Sequence, residues 1–140
     1  MAQKTPFEAG SEAGSRRVLI VEDEFLLARD ISYMLRDLGC HVVGIAATAE
    51  DAIDQAGAAL PHLVLMDIRL KGQRDGIEAA GEIRRRYGLP LVFVTAQSDE
   101  AILEKARSTR PIGILFKPFS ENDLERMLRE AGFGASGSGC

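Results

Sequence analysis

The sequence predicts an α/β fold: a doubly wound parallel sheet of five strands covered on both faces by five helices. Three observations carry it. Short apolar runs without polar alternation recur along the chain, among them Val18-Leu19-Ile20-Val21, Leu63-Val64-Leu65-Met66 and Leu91-Val92-Phe93-Val94, the pattern of strands buried on both faces. Between them lie segments whose apolar residues repeat at helical spacing. The links are short, so each strand-helix-strand unit closes as a right-handed crossover and the strands run parallel.

Residues 1–15, MAQKTPFEAGSEAGS, are polar and without sustained period, and read as a flexible arm before a domain spanning 16–132. Arg17 to Val21 forms the first strand and runs into Glu22, Asp23 and Glu24. Phe25, Leu26, Ile31, Met34, Leu35 and Leu38 then recur at helical spacing until Gly39 stops them. His41 to Ala46 makes the second strand, Thr48 caps a helix over Glu50 to Leu60, and Pro61 closes it. The third strand ends at Asp67, and Asp75 starts a helix with Ile77, Ala80 and Ile83 inward. Its Arg84, Arg85 and Arg86 suit solvent and the C-terminal dipole. Leu89 to Val94 is the fourth strand, ending at Thr95, and Asp99 to Arg110 the fourth helix. Gly113 to Phe116 is the fifth strand, ending at Lys117-Pro118; Ser120 with Asp123 caps the last helix, before a Gly/Ser tail over 133–140.

Composition narrows the function classes. A chain of 140 residues, 46% hydrophobic and 27% charged, suits one compact domain. The net charge of -4 offers no basic face to phosphate backbones, so direct nucleic-acid binding is not expected. No apolar run approaches the roughly 18 residues that span a bilayer, and no signal-peptide core opens the chain, so no membrane role is expected. Two cysteines, Cys40 and Cys140, make no secreted disulfide framework; a cytoplasmic location is the default, with Cys40 a small core residue.

Parallel strands bring Glu22, Asp23, Asp67, Thr95 and Lys117 to one edge of the sheet, where open α/β sheets bind ligands. Three adjacent acids repel one another unless a cation compensates. A helix dipole accounts for one or two of them and poorly for three. Hard oxygen ligands at Asp23 and Asp67, with water through Glu22, suit octahedral Mg²⁺. Asp67 is then placed to attack phosphorus as a nucleophile, Lys117 to pair with one phosphoryl oxygen and Thr95 to hydrogen-bond another. His62, at the entry of the third strand, is far from Asp67 and reads as a structural residue.

The segments VLIVEDE, LVLMDIRL, VFVTA and FKPF resemble, in order and spacing, the four signature segments of bacterial two-component response-regulator receiver domains, over about Arg16 to Gly132. The resemblance implies a flavodoxin-like (CheY-like) sheet of order 2-1-3-4-5. It implies Asp67 as phosphoacceptor, Glu22 and Asp23 as the acid pair, the Arg69 carbonyl as a third metal contact, and Mg²⁺ as cofactor. By the same resemblance Thr95 is the switch hydroxyl and Lys117 the phosphate-sensing lysine, with a cis bond before Pro118. Such a domain is no enzyme on other substrates; it catalyses only its own phosphorylation and dephosphorylation. The implied partners are a sensor histidine kinase and a downstream protein or phosphotransferase, and a phosphorylation-dependent dimer stays open.

Three departures qualify the resemblance. Ile114 stands where the family usually has an aromatic residue. Lys71 replaces a common proline, and Asp75-Gly76 lies one residue farther on than usual. Arg69 and Gln97 hold the positions that tune phosphoryl lifetime. The loop KGQRDG and the segment IEAAGEIRRRYGLPLVFVTA look most like stand-alone alphaproteobacterial receivers, relaying the state through the face of the fourth helix, fifth strand and fifth helix. The alternative is a receiver excised from a larger, for example DNA-binding, regulator. A haloacid-dehalogenase-type phosphatase would need a second Asp where Arg69 stands, and a flavodoxin would need a phosphate loop where the three acids stand.

Overall fold

The computed structural model describes residues 15–132. The expected arm over 1–15, apart from Ser15, and the expected tail over 133–140, with Cys140, lie outside those residues. Ten elements alternate: β1 (Arg17–Val21), α1 (Phe25–Asp37), β2 (His41–Ala46), α2 (Ala49–Ala59), β3 (Leu63–Met66), α3 (Gly76–Tyr87), β4 (Leu91–Thr95), α4 (Glu100–Ser108), β5 (Gly113–Phe116) and α5 (Glu121–Glu130). The sheet order is β2-β1-β3-β4-β5, and every pairing is parallel. That matches the expected order, with the fourth strand two residues shorter at its start and the fourth helix shorter at both ends.

Each strand side feeds its own core. Leu19, Val21, Val64, Met66, Leu91 and Phe93 pack on one face with Ala52, Ile53, Ala80, Ile83 and Leu103 from α2, α3 and α4. Val18, Ile20, Leu65, Val92 and Val94 pack on the other with Ile31, Leu35, Leu124 and Leu128 from α1 and α5. This explains the unbroken apolar strand runs: consecutive residues enter opposite cores, and neither face meets water. Cys40 is buried in the second core. Not every apolar residue at helical spacing is inward, because Phe25 and Leu26 are 73% and 59% exposed at the start of α1.

Caps fix where the helices begin. Thr48 accepts from the Asp51 N–H, and both Asp75 with Glu78 and Ser120 with Asp123 form capping boxes. α3 begins against the end of β3, where Gly76 donates its N–H to the Ile68 carbonyl at 2.7 Å. A β-carbon at Gly76 would stand 1.8 Å from the Asp67 carbonyl oxygen. Only a glycine lets the helix approach so closely.

Candidate functional site

The ladder hydrogen bonds run one residue past the strands and fix the side chains at the carboxyl edge. The Glu22 N–H donates to the Ala46 carbonyl at 2.8 Å, that of Asp67 to the Val21 carbonyl at 2.9 Å, and that of Lys117 to the Thr95 carbonyl at 2.9 Å. Glu22, Asp67 and Thr95 are buried and Asp23 half-buried, whereas Glu24 is exposed. The three-acid run thus divides. Glu22 and Asp23 turn toward Asp67, each offering a carboxylate oxygen within 4.8 Å of the others, while Glu24 begins α1 without a side-chain cap.

Lys117 joins the set from β5. Its Nζ donates to Glu22 Oε1 at 2.9 Å and to Asp67 Oδ2 at 3.0 Å. The other oxygens are held by backbone: Asp67 Oδ1 accepts from the Arg69 N–H at 3.2 Å, and Glu22 Oε2 from the Glu24 N–H at 3.1 Å. The Gln97 N–H donates to Thr95 Oγ1 at 3.0 Å. An open cavity of about 280 Å³ fronts the cluster, lined by Asp67, Arg69, Thr95, Gln97 and Lys117. Lys117-Pro118 is cis, as the resemblance implied. His62 is at the other edge, where its Nδ1 accepts from the Arg17 N–H.

The electrostatics follow from three acids facing one ammonium. Burial pushes the Glu22 carboxyl up to about 7, against the Lys117 and Glu24 hydrogen bonds, and the neighbouring Asp67 charge adds to the rise. Burial also disfavours the Lys117 ammonium, but its hydrogen bonds to Glu22 and Asp67 and their charges outweigh that and raise its pKa. One lysine cannot neutralise three carboxylates, so the cluster retains a demand for positive charge. Its donors are hard oxygens spaced so that one small divalent cation can engage them directly or through water, which is the chemistry Mg²⁺ favours.

Sequence reasoning found these five side chains but missed the Glu22–Lys117 ion pair, because strand order alone does not give side-chain reach. It also missed Gly76 as the residue that brings α3 against Asp67; the Asp75-Gly76 pair was the available signal.

Residues 18–129 match the family model described as the response regulator receiver domain. The chain belongs to that family. Among curated relatives, this receiver is 41% identical over 119 residues to the transcriptional regulatory protein PdtaR of Mycobacterium tuberculosis, covering 85% of this chain and 58% of that protein. It is 29% identical over 130 residues to the phyllosphere-induced regulator PhyR of Methylorubrum extorquens, covering 90% of this chain and 48% of that protein. The latter is in keeping with the alphaproteobacterial resemblance. The receiver chain thus spans about half the length of these relatives.

Among solved structures, the receiver domain of a modulated diguanylate cyclase from Desulfovibrio desulfuricans superposes with a TM-score of 0.79 at 34% identity, covering 84% of this chain and 93% of that one. The receiver domain of the sensor histidine kinase PA1611 from Pseudomonas aeruginosa superposes with a TM-score of 0.75 at 31% identity, covering 84% and 98%. That structure holds a magnesium ion in its active-site cleft. Among the described residues no helix is long and apolar enough to cross a membrane.

Proposed function

We propose that Asp67 accepts a phosphoryl group from the phosphohistidine of a sensor histidine kinase, and that the chain relays this state to a partner protein as a single-domain response regulator of the cytoplasm. The observation that carries the reading is Lys117 Nζ, 3.0 Å from Asp67 Oδ2 and within a cluster of three acids. Glu22, Asp23, Asp67 and the Arg69 carbonyl would hold Mg²⁺, which supplies charge neutralisation on the transferring phosphoryl oxygens.

The remaining chemistry belongs to the side chains. An Asp67 carboxylate oxygen forms a bond to phosphorus as the phosphorus–nitrogen bond to the donor imidazole breaks, and that electron pair returns to the ring nitrogen. Lys117, already beside Asp67, donates to one phosphoryl oxygen. Thr95 donates to another, so both are drawn toward the new charge. The groove of about 460 Å³ lined by Leu27, Met34, Lys117, Pro118 and Phe119 supports docking of the donor protein beside the site. Exposed Phe116 and Ile112 on the β5 side support a second protein-reading face there. Arg69 and Gln97, flanking the cavity, are the residues that would set phosphoryl lifetime.

The test is incubation with Mg²⁺ and acetyl phosphate, then intact mass. Wild type gains one phosphoryl group and Asp67→Ala gains none. Equal gain in both, or none in either, overturns the reading. A second reading, the receiver portion of a larger regulator such as a DNA-binding one, is favoured by the 58% and 48% coverage of the relatives' lengths. The full reading frame decides between them.

A further inference from the structure

We infer that the groove between α3 and α4 is a phosphorylation-sensitive docking site for an acidic, aliphatic segment of a partner protein; this rests on the reading of Asp67 as phosphoacceptor. The groove has a volume of about 350 Å³ and a floor of isoleucines. Ile68 is buried, and Ile77 and Ile102 are half-buried. Arg69 and Lys105 stand on its lining and are exposed. Among the described residues neither of their side chains is committed to a carboxylate, whereas nearby Arg74, Arg86 and Arg107 are paired with Glu82, Glu100 or Glu104. The one acid on the lining, Asp75, already accepts the Glu78 N–H as the cap of α3. Two free cations over an aliphatic floor complement a carboxylate next to a leucine- or isoleucine-sized side chain.

Both walls of this groove are tied to the phosphorylation site. On one side the Arg69 N–H donates to Asp67 Oδ1. On the other the Gln97 N–H donates to Thr95 Oγ1, and Gln97 Oε1 accepts from the N–H groups of Ser98 and Asp99 at 3.2 and 3.0 Å. Asp99 in turn caps α4 through the Ala101 N–H at 2.9 Å. Esterifying Asp67 takes one of its oxygens, and recruiting the Thr95 hydroxyl to a phosphoryl oxygen disturbs the other anchor. The α4 residues Ile102 and Lys105 then shift relative to Ile77, and the groove differs between the two states.

A library of random short peptides selected against the full chain with Mg²⁺ and beryllofluoride tests this. Enriched peptides should pair Asp or Glu with Leu, Ile or Val, and bind about tenfold more weakly when beryllofluoride is omitted. Lys105→Glu should weaken them about tenfold, Lys105→Ala less in the same direction, and Tyr33→Ala, exposed on α1 across the sheet, should leave them unchanged. No enrichment, non-acidic peptides, indifference to Lys105→Glu, or self-association of the chain through this groove each overturns the inference. Acetyl phosphate uptake measured by mass on the same samples separates the two failures. If wild type takes up no phosphoryl group, the phosphoacceptor reading falls; if uptake is intact and the peptides fail, only the docking site falls.

Discussion

The two edges of the sheet treat charge in opposite ways. At the amino edge, the Arg17 guanidinium donates to the Ala59 and Leu60 carbonyls at the end of α2, and the Arg17 N–H meets His62 Nδ1 at 2.9 Å. A cation sits on the negative end of a helix, and the ring nitrogen is satisfied. At the carboxyl edge, three acids converge on one lysine, and burial drives Glu22 to about 7. The first arrangement is complete in itself. The second sets three acids against one lysine, and that imbalance of charge is what the first arrangement lacks.

The carboxyl edge is most vulnerable at Gly76. Its missing β-carbon would stand 1.8 Å from the Asp67 carbonyl oxygen and 2.8 Å from its carbon, both backbone atoms that cannot turn aside. Gly76→Ala should cost about 3 kcal/mol in urea unfolding and abolish phosphoryl uptake. Gly72, in the loop that leads to α3, is the control, with φ +98 and open space around it. Gly72→Ala should cost about 1 kcal/mol through its left-handed backbone alone and leave uptake intact.

Next in size is Glu22→Gln. Glu22 has a folded-state pKa of about 7 against an ordinary value of 4.5, because burial penalises its charge. A raised pKa contributes stability that is fully present below 4.5 and is lost as pH rises through 7. Without divalent ions, wild type should therefore lose melting temperature across that window while Glu22→Gln does not. The two should coincide near pH 5 and separate in favour of the variant by pH 8. If the carboxylates hold Mg²⁺ as proposed, saturating Mg²⁺ should narrow the gap by stabilising the folded wild type. A gap independent of pH would mean that Glu22 is not held by burial.

Most of this was legible in the sequence because strand ends in a parallel sheet all lie on one edge. Val18 to Val21 and Leu63 to Met66, unbroken by polar residues, marked two strands, and the residues after them became the site. Caps were equally readable, since Thr48, Asp75 and Ser120 act through neighbours three residues away. What escaped were relations between elements distant in sequence. The Arg17 clasp on α2 spans more than forty residues, and Lys117 reaches Glu22 across 95. Phe25 and Leu26 fit the helical period, but their exposure depends on what packs beside the start of α1.

The smallest effects should come from the amino edge, and they have the opposite sign in pH. Arg17→Met removes the cation at the end of α2 and should cost about 1 kcal/mol near neutral pH, without touching phosphoryl uptake. His62 is subtler. Burial, then the Arg16 and Arg17 charges, lower its pKa from 6.5. Protonating Nδ1 would also displace the Arg17 N–H it accepts. A depressed histidine contributes stability that is present above 6.5 and lost as pH falls through the folded-state value. The histidine should thus subtract a small amount of stability on acidification, and His62→Asn, which keeps an acceptor near Nδ1 but does not titrate, should lack that contribution. Because Glu22 stabilises toward acid and His62 toward neutrality, the wild-type curve between pH 5 and 7 is the difference of two opposed slopes. Glu22→Gln should therefore uncover the histidine's slope and the double variant should be flat. A double variant that keeps a slope would place a third titrating group in the window and remove the simple division between the edges.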